Sequence, residues 1–191
     1  MTALYNAMYN AAEMGDLERV MLLADQGADK NQISGSHGAT ALCRAAAKRH
    51  FDVARYLVEQ GADMEKADRN GDTPLIYASY NGHVDVVRYL LDHGADRDKA
   101  NEFDCTPIHA AAEGGHLETA KLLMVYGADL NAQDYYGRSP INVALTEEMR
   151  QAIRDEPRRR MDHGHKRATE QDLTCCNKKR GKFIAYSVSC H

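Results

Sequence analysis

The sequence predicts an all-α solenoid, in which helix-turn-helix units stack side by side and are joined by β-hairpin-like loops. Two recurring elements support this prediction. The tripeptide Gly-Ala-Asp recurs at intervals of 34, 33 and 33 residues, beginning at Gly27, Gly61, Gly94 and Gly127. A helix-start element of the form Thr-Pro-Leu recurs in phase with it, beginning at Thr40, Thr73, Thr106 and Ser139. A fixed period of this length, with two helices per unit, is typical of stacked repeats.

The unit at residues 69–101 shows the two helices most clearly. Thr73 can cap free backbone N–H groups, and Pro74 fits the first helical turn because its missing donor is not needed there. The first helix is therefore predicted to run to Tyr80 and to end at Gly82, which can take a positive φ. The second helix has one apolar stripe, formed by Val84, Val87, Leu90 and Leu91. A helix with this spacing is buried on one side, so the unit needs a neighbouring copy to cover it.

The units on the N-terminal side depart from this pattern. The first, at residues 3–34, pairs helices at 4–13 and 17–25 without a Thr-Pro start, as expected of a terminal repeat that faces solvent on one side. The second, at residues 35–68, has Ala41 in place of the proline and Arg49 in place of the glycine between the helices. Arg49 is then expected to take a left-handed conformation, at a cost on the order of 1 kcal/mol.

The units on the C-terminal side complete the stack. The unit at residues 102–134 has Asp104 in place of the hairpin glycine, and Asp tolerates turn geometry. The last unit, at residues 135–155, is predicted to lack a full second helix and to end at Pro157. Its outer surface is expected to be polar, through Glu147, Glu148, Arg150 and Gln151.

The combination of period, Thr-Pro-Leu/Ile and Gly-Ala-Asp resembles the ankyrin repeat, over roughly residues 3–153. The resemblance implies an ankyrin-type helix-turn-helix solenoid of about five units, two of them caps. It also implies that His109, the last residue of the helix-start element in the fourth unit, hydrogen-bonds within and between repeats.

The charge is distributed unevenly over the 191 residues, with a net charge of −9 up to Ile153 and +5 from Arg154 onward. No apolar run approaches the roughly 18–20 residues needed to span a membrane, and the first residues do not resemble a secretory signal. The five cysteines show no paired framework. We therefore expect a reducing compartment, the cytoplasm or the nucleus.

Residues 156–191 show no sustained period and are predicted to form a basic, flexible tail. Its basic clusters are Arg158–Arg160, Lys166-Arg167 and Lys178–Lys182. Clusters of this kind could bind nucleic acid, acidic lipid or an import receptor.

No catalytic motif is found in the sequence: it contains no glycine-rich phosphate loop, no Gly-x-Ser-x-Gly and no His-Glu-x-x-His. His50, His83 and His116 recur 33 residues apart. Equivalent positions in neighbouring repeats lie about 10 Å apart, which is too far to share one metal ion at bonds of about 2 Å. We therefore expect a structural role for these histidines, and neither enzyme activity nor a cofactor or metal site.

In ankyrin-like stacks the hairpin tips and the first helices line a concave side. Carrying the variable positions of the family onto this sequence predicts a partner-binding set in the last three units. Its members are Arg69, Asn70, Asp72, Tyr80, Asn81, His93, Glu102, Phe103, Tyr126, Tyr135, Tyr136 and Arg138. Exposed aromatic residues flanked by arginine and acids are typical of binding hot spots. The alternative is that each tyrosine packs its ring along the next loop.

The predicted function is that of a non-catalytic protein-protein interaction module, an adaptor or scaffold, which binds a protein partner through its concave groove and hairpin tips as a monomer. The acidic repeats favour a partner with basic residues and a salt-sensitive association rate. One alternative is nucleic-acid or acidic-membrane binding through the basic tail. A further alternative is that the tail folds back on the acidic repeats and blocks the groove.

Overall fold

The computed structural model describes residues 2–156, with side chains from residue 6 onward. These residues form ten helices in five pairs. Their bounds are Thr2–Met14 (α1), Leu17–Asp25 (α2), Ala41–Lys48 (α3), Phe51–Glu59 (α4), Pro74–Tyr80 (α5), Val84–Asp92 (α6), Pro107–Glu113 (α7), Leu117–Val125 (α8), Pro140–Val143 (α9) and 147–156 (α10). Within this range there is no strand, and one isolated β-bridge joins Ser34 to Ala39. The predicted all-α fold is confirmed.

The helices form two layers. The first helices of the units, α1, α3, α5, α7 and α9, pack side by side in chain order, and the second helices, α2, α4, α6 and α8, do the same. The core lies between the layers and is filled mainly by alanine and leucine, including Leu42, Leu57, Leu75, Leu90 and Leu123. Each unit thus covers the apolar side of its neighbour, as the sequence predicts.

The first helices begin at the predicted threonines. The Oγ1 atom of Thr40 accepts a hydrogen bond from the backbone N–H of Cys43 at 3.2 Å, and that of Thr73 accepts one from Ile76 at 3.3 Å. Both threonines have extended backbone, which is the conformation of an N-cap residue. Because Thr40 keeps its cap, α3 forms although Ala41 replaces the proline.

Two residues other than glycine take the left-handed conformation, within the part of the chain that the structure describes. Arg49 ends α3 with φ 61° and ψ 31°, and Asp104 turns the hairpin of the fourth unit with φ 54°. Both were expected from their positions in the repeat. Arg49 also forms an exposed ion pair with Asp85, in which Nε lies 3.2 Å from Oδ2.

The prediction that the fifth unit lacks a full second helix is wrong, because residues 147–156 are helical. The Oγ1 atom of Thr146 caps this helix by accepting a hydrogen bond from the N–H of Met149 at 3.2 Å. Met149 and Ile153, which are one turn apart, are buried. The short helix is instead α9, which ends where Ala144 becomes extended with ψ 122°. Of the residues expected to make the outer surface polar, Glu147, Glu148 and Gln151 are exposed on α10 and Arg150 is partly exposed.

The hairpins between units are joined in series by backbone hydrogen bonds. The N–H of Arg69 donates to the carbonyl of His37 at 3.1 Å, that of Glu102 to Asn70 at 2.9 Å, and that of Tyr135 to Phe103 at 2.9 Å. The tips at residues 35–39, 69–72, 102–105 and 135–138 therefore form one continuous edge, called the rim below. The rim runs beside the first-helix layer.

No helix in residues 2–156 is both long enough and apolar enough to cross a membrane. Apart from Glu156, the predicted basic tail lies outside the described residues. Nucleic-acid or acidic-membrane binding through that tail, and its folding back on the repeats, therefore stay predictions.

Candidate functional site

Three residues, Asp68, Asn101 and Asp134, hold the hairpins of the rim in shape. In each, one side-chain oxygen accepts hydrogen bonds from the backbone N–H groups two and four residues later, at 2.8–2.9 Å. This is the local backbone contact that suits Asp and Asn to turns. The sequence analysis missed these three positions, although an Asp or Asn recurring every 33 residues before each hairpin was the available signal.

The second side-chain atom of each of these residues ties the hairpin to a neighbouring side chain. Oδ2 of Asp68 accepts a hydrogen bond from the hydroxyl of Tyr77 at 2.8 Å. Nδ2 of Asn101 donates to Oδ1 of Asp72 at 2.7 Å, a contact between successive hairpins. The hairpins of the rim are therefore connected to neighbouring side chains, and from one hairpin to the next, by polar contacts.

In the last hairpin, Arg138 forms the third of these contacts. Its Nη2 lies 2.7 Å from Oδ2 of Asp134, and its guanidinium lies 5.0 Å from the centroid of the Tyr136 ring. Burial would raise the pKa of Asp134, but the hydrogen bonds from the side chain and backbone of Arg138 and from the backbone of Tyr136 lower it. The charge of Arg138 is therefore neutralised by Asp134 and is not free to bind a partner.

The aromatic residues predicted to bind a partner are exposed. The exposed fraction is 54% for Phe103, 70% for Tyr135 and 72% for Tyr136 on the rim, and 53% for Tyr80 at the end of α5. The rings of Tyr135 and Tyr136 contact each other edge to face, with centroids 5.4 Å apart. Each of these four residues is therefore more than half exposed to solvent.

Two neighbouring clefts lie between the rim and the first helices. The Phe103 cleft, of about 210 Å³, is lined by Asn101, Phe103, Cys105, His109, Glu113, Asp134, Tyr136, Arg138 and Val143. The Tyr80 cleft, of about 290 Å³, is lined by Asp72, Ile76, Tyr77, Tyr80, Asn101, Cys105, Ala110 and Glu113. The clefts share Asn101, Cys105 and Glu113, so they form one continuous groove. Five residues of the predicted set, Asp72, Tyr80, Phe103, Tyr136 and Arg138, meet there.

His109 lies at the base of the Phe103 cleft and is 1% exposed. Its Nδ1 accepts a hydrogen bond from the N–H of Thr106 at 3.4 Å, and its Nε2 donates to the carbonyl of Arg138 at 3.0 Å. Burial lowers its pKa, against the opposing effect of its hydrogen bond to the Arg138 carbonyl. The expected hydrogen bonding within and between repeats is confirmed.

The electrostatic character of the Tyr80 cleft is set by carboxylates. Burial raises the pKa of Asp72, the hydrogen bond from Asn101 opposes this, and the charge of Asp68 raises it further. Glu113 is exposed, and within residues 6–156 its carboxylate forms no hydrogen bond or ion pair. Among the described residues, no positive side chain lines the Tyr80 cleft itself, although Glu113 also borders the Phe103 cleft and interacts there with the charge of Arg138.

Cys105 is the thiol that both clefts share, and it is half-buried. Burial, followed by the charges of Glu113, Asp72 and Asp134, raises its pKa to about 12. The thiol is therefore protonated at neutral pH, and a protonated thiol is a poor nucleophile.

Other members of the predicted set lie on the rim or at its border. Asn70 and Glu102 are exposed on consecutive hairpins. The guanidinium of Arg69 donates from Nη1 to the carbonyl of Ser36 at 3.1 Å, so it lies along the preceding hairpin. Asn81 donates from Nδ2 to the carbonyl of Tyr77 at 2.8 Å, at the end of α5.

His93 and Tyr126 are not brought into the groove. They follow the second helices α6 and α8 as cap residues. The ring of His93 packs on Tyr89, with centroids 4.0 Å apart, and the Tyr126 hydroxyl donates to the carboxylate of Asp92. Their role in binding stays a prediction, on a surface separate from the two clefts.

Two of the three recurring histidines, His50 and His83, link their unit to the one before it. Nε2 of His50 donates to the carbonyl of Glu13, and Nε2 of His83 donates to that of Ala47, both at 3.0 Å. Among the described residues, no three side chains of the metal-binding types come together at one point.

Comparison with known proteins identifies the same repeats. The family model for ankyrin repeats (3 copies) matches residues 7–101, 60–134 and 94–154. The chain is 39% identical over 61 residues to ankyrin repeat and SAM domain-containing protein 6 of Rattus norvegicus, a match that covers 32% of this chain and 7% of that protein. It is 43% identical over 63 residues to ankyrin repeat domain-containing protein 29 of Homo sapiens, covering 33% of this chain and 21% of that protein.

A third relative is shorter. The chain is 41% identical over 66 residues to protein phosphatase 1 regulatory subunit 27 of Mus musculus, a match that covers 35% of this chain and 42% of that protein. In all three cases the matched segment spans less than half of the relative's length.

Proposed function

This chain belongs to the ankyrin-repeat family, whose members are typically protein-interaction modules, and from that premise we propose that it is a non-catalytic adaptor or scaffold. In this proposal a protein partner lies along the rim and inserts side chains into the Tyr80 and Phe103 clefts. The proposal is carried by the exposure of three aromatic residues that line one groove, Tyr80, Phe103 and Tyr136, with the exposed Tyr135 beside Tyr136 on the rim. Tyrosine is enriched among hot spots at the centres of protein interfaces.

The groove is pre-organised for binding. Its polar base is held by the hydrogen bonds of Asp68, Asn101 and Asp134, which order the rim before a partner arrives. Less conformational entropy is then lost on association. The exposed rings add contact area at a low cost in conformational entropy, since each has only two side-chain torsions.

The absence of catalysis is part of the proposal. The polar side chains at the base of the groove are committed to backbone contacts that shape the hairpins. The half-buried Cys105 has a pKa raised to about 12, and the buried Cys43 one raised to about 11, both primarily by burial. Neither thiol is therefore suited to act as a nucleophile at neutral pH.

The name of one relative supports a role in an assembly. Protein phosphatase 1 regulatory subunit 27 is described as a regulatory subunit, which acts together with another protein. We extend to this chain the general role of a non-catalytic subunit, and not the phosphatase partner.

Affinity purification of the full chain from a cell lysate, with quantitative mass spectrometry, tests the proposal. The test variant is the double substitution Phe103→Ala and Tyr136→Ala on the rim. The matched control is Leu22→Ala with Val125→Ala, which removes two exposed apolar side chains from the second helices α2 and α8. Specific partners should fall about tenfold with the rim variant, as expected when two hot-spot residues are truncated.

The control variant should capture the same partners as the native chain. Equal capture by the rim variant, or loss with the control alone, would place binding on another surface and refute the proposal.

A further inference from the structure

We propose that the Tyr80 cleft binds the guanidinium group of an arginine in the partner protein. This specificity rests on the proposed protein-binding function and names the chemistry that the groove recognises.

The first step is the placement of Tyr80 and Glu113. They are the last residues of α5 and α7, the first helices of two neighbouring units, and both line the Tyr80 cleft. The two helix ends are in close backbone contact, since a Cβ atom at Gly114 would lie 2.5 Å from the carbonyl oxygen of Tyr80, and the cleft opens beside this contact. The cleft volume of about 290 Å³ is at the small end for ligand pockets. It therefore suits one long side chain.

The second step is the charge of the cleft. Asp72 uses Oδ1 to accept the hydrogen bond from Asn101, and its Oδ2 accepts none from another described residue. The carboxylate of Glu113 forms no hydrogen bond or ion pair with those residues either, but it interacts at longer range with the charge of Arg138 in the Phe103 cleft. Because no basic side chain lines the Tyr80 cleft itself, two carboxylates from different elements, a hairpin and a helix, can still bind a cation there.

The third step is the choice of arginine over lysine. The guanidinium is planar, so it can stack on the ring of Tyr80, which is 53% exposed. Its N–H groups point in several fixed directions in one plane and can reach two carboxylates at once. A lysine ammonium is a more strongly hydrated point charge and lacks the flat face.

The Phe103 cleft differs in this respect and does not compete for a cation. Of its two carboxylates, Asp134 is paired with Arg138 at 2.7 Å, and Glu113 interacts with the same guanidinium at longer range. The remaining walls include the apolar side chains Phe103 and Val143. Because Arg138 already supplies a positive charge to the Phe103 cleft, we place the basic side chain of a partner in the Tyr80 cleft.

A nuclear magnetic resonance titration of the ¹⁵N-labelled full chain tests this assignment. The probes are N-acetyl-arginine amide, N-acetyl-lysine amide and N-acetyl-citrulline amide, which has nearly the shape of arginine without its charge. The arginine probe should cause saturable shifts of backbone amides at residues 77–82 and 110–114. Its affinity should exceed that of the lysine probe by about threefold or more, since only the guanidinium can stack and fork. The citrulline probe should cause no saturable shift.

Two variants and one control locate the site. Glu113→Gln removes the charge and keeps the shape, and Tyr80→Leu removes the ring; each should weaken arginine binding about fivefold, the range of one charged or cation–π contact. Glu148→Gln, at an exposed glutamate outside the clefts, should leave the affinity unchanged.

Equal shifts with arginine and lysine, the absence of saturable shifts, or an unchanged affinity in Glu113→Gln would each overturn the inference. These results are independent of the affinity purification. A native chain that captures its partner through the rim but shows no arginine preference would refute the arginine cleft and leave the proposed function intact.

Discussion

The Nε2 atom of His109 lies 3.0 Å from the carbonyl oxygen of Arg138, so one buried imidazole joins the fourth unit to the fifth. Because Nδ1 accepts a hydrogen bond from the N–H of Thr106, the proton must be on Nε2. The neutral tautomer therefore closes the cap of α7 and fixes the backbone beside the Phe103 cleft. Nδ1 also lies 2.8 Å from Oγ1 of Thr106, so its protonation would remove the hydrogen bond from the Thr106 N–H and require the hydroxyl oxygen to accept.

We expect the stability of the repeats to depend on the protonation of His109. Burial lowers its pKa in the folded state, so the unfolded chain binds this proton more readily. The contribution of His109 to the free energy of unfolding is then full above the ordinary histidine pKa of about 6.5 and falls as the pH decreases below it.

Urea unfolding of the native chain and of His109→Gln at a series of pH values checks this expectation. The variant should be less stable at neutral pH, and the difference should shrink as the solution is acidified. Parallel pH profiles for the two proteins would show that His109 does not titrate differently on folding.

Asn101→Ala should destabilise the fold by about 1–3 kcal/mol. Two backbone N–H groups of the hairpin at residues 102–105 lose their acceptor, and Asp72 loses a donor. The control is Asn81→Ala, which removes an exposed amide that makes one hydrogen bond at a helix end, and should cost at most about 1 kcal/mol. Denaturant unfolding measures both. Equal losses would mean that the hairpin does not depend on its Asn.

Arg49→Gly should stabilise the protein relative to Arg49→Ala by about 1 kcal/mol, because glycine takes the left-handed conformation at this position without strain. Both substitutions remove the exposed ion pair with Asp85, so the comparison isolates the backbone. Thermal unfolding measures the difference. An alanine variant as stable as the glycine variant would contradict the proposed strain.

Because the hairpins stack closely, alanine substitution should reduce stability by different amounts at two glycines that share a φ of 79°. A Cβ atom at Gly71 would lie 2.8 Å from the backbone nitrogen of Glu102, whereas one at Gly61 would meet nothing within 4 Å. Gly61→Ala should cost about 1–2 kcal/mol from conformation alone. Gly71→Ala should cost about 1–3 kcal/mol more, because the next hairpin must move.

Calorimetry on the two alanine variants gives this comparison. Equal transition temperatures would indicate that successive hairpins are further apart than the structure shows.

The fold was predictable from the sequence because a repeating unit supplies the same evidence several times. Thr73 and Pro74 mark a helix start that recurs in phase, and Arg49 and Asp104 were expected in the left-handed region because they replace glycines. The second helix of the last unit was missed. Its large apolar residues, Met149 and Ile153, are only two in a polar segment, and both are buried in the core shared with the other units.

The candidate groove was predictable only in part. The variable positions of the repeat include Tyr80 and Phe103. Position in the repeat alone, however, does not separate residues on the rim from residues at the ends of second helices. His93 and Tyr126 were therefore grouped with them, although they pack on the other layer. The pairing of Arg138 with Asp134, which removes its free charge, depends on a side-chain contact that periodicity does not reveal.

The central claim is that the exposed rings of the rim act in partner binding and not in folding. The most direct test measures the Kd of a captured partner and the Tm of the protein for the native chain and for the Phe103→Ala, Tyr136→Ala variant. We expect Kd to rise about tenfold or more while Tm changes by less than about 2 °C. An unchanged Kd, or a Tm that falls in parallel with affinity, would contradict it.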